Sequence, residues 1–233
     1  MRAGRLGAAA AGLGLAAWAG AAPAAHVPLL CDVLGIARRL DLGSDAVGLT
    51  FDDGPHRHGT PAILETLAAA GATATFFVVG EQVRREPGIV GEVAAAGHRI
   101  AVHGDRHVAL TCVTPAALRA DLDRCAALVA EHGGSAPDRY RPPYGVFSAA
   151  ALREARRRCW TPLLWSAWGC DWRAGATPDS IATRATREVG AGDVVLLHDA
   201  DHYSAPGSWR RTVAALPRIL DELGARGLRA VAV

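Results

Sequence analysis

The chain has 233 residues, 50% of them hydrophobic, which suits one large domain with a full core. Its 25 basic and 23 acidic side chains leave a net charge of +2, and the longest basic run is Arg156, Arg157 and Arg158, so nucleic-acid binding has no electrostatic support. Five cysteines, an odd number with no C-x-x-C pair, argue against a thiolate zinc site.

Arg2 and Arg5 precede the uncharged stretch LGAAAAGLGLAAWAGAAPAA. A basic start, an apolar middle and an Ala-rich end predict that residues 1–25 are an export signal or, through residues 6–25, an uncleaved membrane anchor. The expected location is outside the cytoplasm, either secreted or held on the outer face of the cytoplasmic membrane. Residues 26–45 read as a lead-in helix or loop, and residues 46–233 as one domain without linker or repeat.

From residue 46 onward, strand and helix patterns alternate. Strands are predicted over 46–52, 73–79, 98–103, 139–142, 161–167, 193–198 and 229–233. Several are near-continuous apolar runs such as TATFFVV and DVVLLH, the pattern of parallel strands covered on both faces. Helices are predicted near 61–70, 88–96, 115–131, 148–158, 178–189 and 209–226. Three begin with Thr-Pro, at Thr60, Thr114 and Thr177: threonine accepts from a free helix N–H and proline fits the first helical position. Gly71, Gly133 and Gly227 stand where left-handed caps close helices. The alternation predicts an α/β fold of about seven parallel strands, and its even spacing favours a closed or nearly closed barrel over an open sheet. In an exported chain Cys112 and Cys125 could be joined; buried thiols are the simpler reading.

Ligands in parallel α/β folds bind at the C-terminal ends of strands, and there the ionisable residues collect. Strand one ends at Asp52 and Asp53, strand three at His103 within HGDRH, strand four at Arg141, strand five near Asp171, and strand six at His198 and Asp199. Two adjacent carboxylates repel and are costly to desolvate unless a cation lies nearby. His103 and His107, four apart, can present two imidazoles on one side of a helical turn, and Asp52 or Asp53 would complete a three-ligand metal set. The second aspartate, kept ionised by the cation, can then take a proton from water. His198 at a strand end is a candidate general acid, with Asp171 pairing either with it or with Arg141. Trp165, Trp168, Trp172 and Trp209 are candidates for stacking on sugars.

TFDDGP, HGDRH, RPPYG, DW and LLHD, in this order, resemble the motif set of the polysaccharide deacetylases, the NodB-homology group or carbohydrate esterase family 4, over roughly residues 46–233. The resemblance implies a distorted (β/α) barrel and metal-dependent removal of N-acetyl groups from sugars. It implies Asp52 as base, and Asp53, His103 and His107 as ligands of one divalent ion, zinc first and cobalt or another transition metal next. It further implies that Arg141 orients the base, that the Tyr144 backbone N–H holds the oxyanion, and that Asp171 tunes the acid His198. Trp172 and Leu196 match the walls of the acetyl pocket. Two positions depart from the family pattern. Gly104 stands where Ser or Thr is usual, which loses a hydroxyl that can brace the loop. Trp168 replaces the first aspartate of Asp-x-x-Asp-Trp.

The expected substrate is an N-acetylglucosamine polymer of peptidoglycan or chitin type, with residues 199–209, DADHYSAPGSW, as a substrate-side loop on a monomeric chain. A metal hydrolase of small amides or imides, or a carbohydrate-binding relative with a decayed site, is the alternative. His56 and His58 are read as rim residues, since three ligands are available without them.

Overall fold

The computed structural model describes residues 27–233; residues 1–25, expected to export or anchor the chain, lie outside the described residues. Among the described residues no helix is long and apolar enough to cross a membrane. The lead-in contains a short helix, α1 (Pro28–Leu34), closed by Gly35. Strand β1 (Ala46–Asp52) follows, buried along its whole length. Then come α2 (Gly59–Ala69), β2 (Thr75–Val79), α3 (Gly80–Arg85), α4 (Pro87–Ala95), β3 (Arg99–Gly104) and the long α5 (Pro115–Gly133). The second half contributes β4 (Arg139–Tyr140), α6 (Ala149–Arg157), β5 (Thr161–Pro162), β6 (Ala167–Trp168), α7 (Pro178–Thr186), β7 (Val194–His198), α8 (Ser208–Ala225) and β8 (Arg229–Val231).

All strand pairs are parallel, along the path β5-β4-β3-β2-β1-β7-β6, with β8 paired off this path to the start of β1. The expected strand over 161–167 is one bent segment rather than a single strand. Leu163 N–H bonds the Tyr140 carbonyl on β4, Leu164 N–H bonds the Ala37 carbonyl, and Ser166 N–H bonds the Val194 carbonyl on β7. The segment therefore changes partner midway, and β5 and β6 become the two ends of the sheet path. Because these ends are halves of one segment, the sheet curls round on itself, with the lead-in residue Ala37 filling the seam. This is the distorted (β/α) barrel that the resemblance implies.

Helices cover the outside. Ile63 and Leu67, four apart on α2, are fully buried, and Phe51 stacks on Phe76 at 5.1 Å between ring centroids. Each such side chain contributes about 1.5–3 kcal/mol by leaving water. Thr114 and Thr177 cap α5 and α7 through their side chains, Thr177 within a capping box. Thr60 does not cap: α2 begins one residue earlier, and the Thr60 hydroxyl donates to Asp199 while accepting from His56 N–H. The left-handed residue after α5 is Gly134 rather than Gly133, which is the last helical residue. Cys112 is exposed while Cys125 is buried with its thiol against the Val78 carbonyl, so the two are not joined.

Candidate active site at the strand C-termini

The two aspartates separate because the backbone turns between them. Asp52 is the last residue of β1, paired laterally with His198 on β7. Asp53 takes the left-handed conformation, φ 81°, before a cis Gly54-Pro55 bond. That conformation is costly for a non-glycine residue and concentrates at functional sites. Gly54 is required by packing: a Cβ there would lie 2.2 Å from Asp199 Oδ2.

Asp52 points to Arg141. Arg141 Nη1 donates to Asp52 Oδ1 at 2.6 Å and to Thr50 Oγ1 at 2.9 Å, while Nε and Nη2 donate to the Leu163 and Leu164 carbonyls. The guanidinium lies 4.1 Å from the Phe77 ring centroid and is fully buried. All three nitrogens of the fork are thus engaged, which a flexible lysine could not reproduce.

Asp53 points to the histidines. Its Oδ1 lies 3.5 Å from His103 Nε2 and 3.3 Å from His107 Nε2. His103 is the next-to-last residue of β3 and His107 stands in the loop beyond it, so strand and loop bring the rings together rather than the helical turn considered from the spacing. His103 Nδ1 lies 2.8 Å from the Arg141 carbonyl. A carbonyl only accepts, so Nδ1 carries the proton and Nε2 offers a lone pair toward Asp53. Burial, reinforced by His103, lowers His107 to about 4 and leaves its imidazole neutral at pH 7. Burial would raise the Asp53 carboxyl, but the His103 contact and His198, joined by His103 and His107 once acid protonates them, outweigh it and hold it at about 2.

Asp53, His103 and His107 each offer one ligand atom, all within 4.8 Å of one another. Asp53 Oδ1 is buried and has no hydrogen-bond partner. A buried carboxylate oxygen left unpaired is expensive, and a divalent cation between the three groups would satisfy it. The donor set, two imidazoles and one carboxylate, suits zinc and its neighbours.

Opposite the aspartates, His198 is gripped by Asp171, whose Oδ1 lies 2.9 Å from His198 Nδ1 and whose Oδ2 accepts from His198 N–H at 2.7 Å. Thr212 donates to the same Oδ2. Asp171 thus pairs with His198, not with Arg141. Burial would lower His198, but the Asp171 charge and hydrogen bond, with Asp53 and Asp52, push it up to about 10.

Asp52, Asp53, His103, His107, Tyr144, Trp172, Leu196 and His198 line one open pocket of about 290 Å³; Arg141 and Asp171 stand behind it as the partners of Asp52 and His198. Trp165, Trp168 and Trp172 form a continuous aromatic wall, with ring centroids 5.8 and 5.3 Å apart and Trp168 reaching solvent. Trp209 belongs elsewhere, packed on His56 and His58, which stay outside the Asp53 cluster. Tyr203 and Ser204 of the 199–209 loop also line the pocket. The sequence places Asp199 at a strand end and Tyr203 in the substrate-side loop, but assigns neither a role in the site. Asp199 follows His198 directly, and burial, with the Asp53 charge adding to it, pushes its carboxyl up to about 7.

This arrangement on this barrel defines a (β/α)-barrel hydrolase. The family model described as polysaccharide deacetylase matches residues 39–159. A peptidoglycan-N-acetylglucosamine deacetylase of Bacillus cereus is 36% identical over 189 residues, covering 80% of this chain and 85% of the relative. A chitooligosaccharide deacetylase of Sinorhizobium fredii is 32% identical over 203 residues, covering 84% and 94%. Among solved structures, the Bc1960 peptidoglycan N-acetylglucosamine deacetylase superimposes with a TM-score of 0.80 at 31% identity, covering 87% of this chain and 92% of the other. A family 4 carbohydrate esterase from Streptomyces lividans, in complex with acetate, gives 0.71 at 32% identity, covering 80% and 91%. The chain belongs to the polysaccharide deacetylase family.

Proposed function

We propose that this protein is an exported, metal-dependent deacetylase that hydrolyses the N-acetyl groups of an N-acetylglucosamine polymer of peptidoglycan or chitin type. The observation that carries this reading is the convergence, in one pocket, of the Asp53–His103–His107 set with Asp52 on one side and His198 on the other. Relatives that the chain covers almost completely are deacetylases of such glycans by name.

A divalent cation, zinc first, held by Asp53, His103 and His107 supplies Lewis acidity toward the acetamide carbonyl and toward water. Asp52, aimed by Arg141 Nη1 at 2.6 Å, takes a proton from the attacking water. The Tyr144 backbone N–H faces the developing oxyanion. His198, charged at neutral pH through its Asp171 contacts, delivers its proton to the nitrogen as the C–N bond breaks. One water is consumed; acetate and a free amine leave. Trp172 and Leu196 enclose the acetyl methyl, and the wall running to exposed Trp168 suits an extended glycan better than a small amide or imide. The N-terminal residues and the glycan substrate together favour action outside the cytoplasm.

Acetate release from acetylated chitooligosaccharides, with and without chelator, tests the reading. Chelation should abolish release and added Zn²⁺ restore it. Asp52→Asn should lower kcat by about 10²–10⁴-fold while the metal stays bound. Full activity under chelation, or in Asp52→Asn, would overturn the assignment.

A further inference from the structure

The two histidines are held in different ways. His103 is oriented by the hydrogen bond between Nδ1 and the Arg141 carbonyl, 2.8 Å long. A ligand histidine ordinarily has such a partner on its second nitrogen. His107 lacks one: its Nδ1 is buried without a hydrogen-bond partner, although the side chain is only 5% exposed. Something else must keep Nε2 aimed at Asp53.

Among the described residues Tyr203 supplies the one flat contact on that ring. The two rings lie 4.1 Å apart at 9°, a close parallel stack, and Tyr144 adds an edge contact at 4.6 Å. Tyr203 is itself fixed at its far end. Its hydroxyl donates to Glu81 and accepts from Gln82 Nε2 at 2.8 Å, and Gln82 is buried. Glu81 N–H in turn bonds the Asp105 carbonyl at 2.9 Å, two residues before His107. Helix α3 thus clamps both the histidine loop and the tyrosine that covers it. The 199–209 loop holds the other side: Gly207 N–H bonds Asp201 Oδ2 at 2.6 Å and Ala205 N–H bonds the Trp172 carbonyl at 3.1 Å.

We infer that Tyr203 is a positioning residue for His107, its clamped ring taking the place of the missing hydrogen bond and keeping Nε2 turned toward Asp53. This rests on the proposed role of His107 as a metal ligand. The contact comes from the far side of the barrel, so the loop after His198 and the loop after His103 are coupled through one ring stack.

The test is Zn²⁺ affinity of the full chain, by competition against a chromogenic chelator, with the melting temperature of the chelated protein recorded alongside. Tyr203→Leu, which removes the flat ring, should weaken Zn²⁺ binding by about 10–100-fold, the range for loss of a group that orients a metal ligand. Tyr203→Phe keeps the ring and loses only the hydroxyl, so its affinity should fall between wild type and Tyr203→Leu. The visible spectrum of the Co²⁺-loaded protein should change in Tyr203→Leu and keep its wild-type form in Tyr203→Phe. Wild-type Zn²⁺ affinity in Tyr203→Leu overturns the inference, as does a Phe variant as weak as Leu with its chelated melting temperature unchanged. His107→Ala separates the two levels of the reading. If it binds Zn²⁺ like wild type, the ligand assignment itself fails; if it loses Zn²⁺ while Tyr203→Leu does not, only the positioning role fails.

Discussion

Arg141 and Asp52 form an ion pair with no solvent contact on the arginine, Nη1 to Oδ1 at 2.6 Å, joining the end of β1 to the segment after β4. The same guanidinium holds the Leu163 and Leu164 carbonyls, in the bent segment that closes the barrel. One side chain therefore fixes both the proposed base and the seam of the fold.

Arg141→Ala should lower stability by about 3–5 kcal/mol in urea unfolding, because it leaves the Asp52 carboxylate buried without its partner. Arg141→Lys keeps the charge but not the fork and should fall between wild type and alanine in stability. It should still lose most of its kcat, since Asp52 is no longer aimed. An alanine variant as stable as wild type would contradict the linkage.

The residues that stand at strand ends were legible because parallel α/β topology sends C-terminal strand ends to one rim. Asp52, His103 and His198 needed only the strand pattern and their own chemistry. Tyr203 was not legible: its place depends on a clamp from Glu81 and Gln82, residues about 120 positions earlier that no local pattern connects to it. The segment 161–167 misled for a related reason. TPLLWSA has the composition of one strand, and composition does not reveal that its hydrogen bonds pass from β4 to β7 midway. Thr60 has the local form of a cap, but the helix begins at Gly59, and the Thr60 hydroxyl accepts from His56 N–H while donating to the buried Asp199 carboxyl.

Gly104 departs from the family pattern, and the structure gives a reason. Its φ is 126°, a conformation costly for any L side chain, and a Cβ there would lie 3.2 Å from the Arg106 carbonyl and 3.3 Å from Asp121 Oδ2. The bracing that a hydroxyl would provide comes instead from Asp121 Oδ2, which accepts Asp105 N–H at 2.7 Å. Gly104→Ser should therefore destabilise the protein, by about 1–3 kcal/mol in thermal unfolding. It should weaken Zn²⁺ binding through the displaced His103–His107 loop. A serine variant that gains stability would mean the loop can adopt another backbone freely.

Trp168 stands at the outer end of the aromatic wall, 37% exposed and 5.3 Å from Trp172. Trp168→Ala should raise KM for longer acetylated oligosaccharides by roughly 10-fold, the value of about one aromatic stacking contact. The kcat and the acetyl pocket should stay unchanged. Equal KM values for short and long oligosaccharides in both proteins would remove the residue from glycan binding.

His198 makes the pH dependence. Burial opposes its charge, but Asp171, Asp53 and Asp52 outweigh burial and raise it to about 10 from an ordinary value of 6.5. A histidine raised in the folded state binds its proton more tightly there than in the unfolded chain. Its contribution to stability is complete below pH 6.5 and is lost as pH rises through about 10. Unfolding of the chelated protein should therefore show stability falling across this window. Asp171→Asn removes the first supporting charge, lets burial depress His198, and should flatten that fall whatever its effect at any single pH. In the metal-loaded enzyme the cation opposes the imidazolium charge, so the alkaline limb of kcat/KM should lie below about 10. Asp171→Asn should move that limb further toward neutral pH, because the proton that His198 is proposed to give to the leaving nitrogen is then held less tightly. An alkaline limb at the same pH in both proteins would separate His198 from the proton transfer.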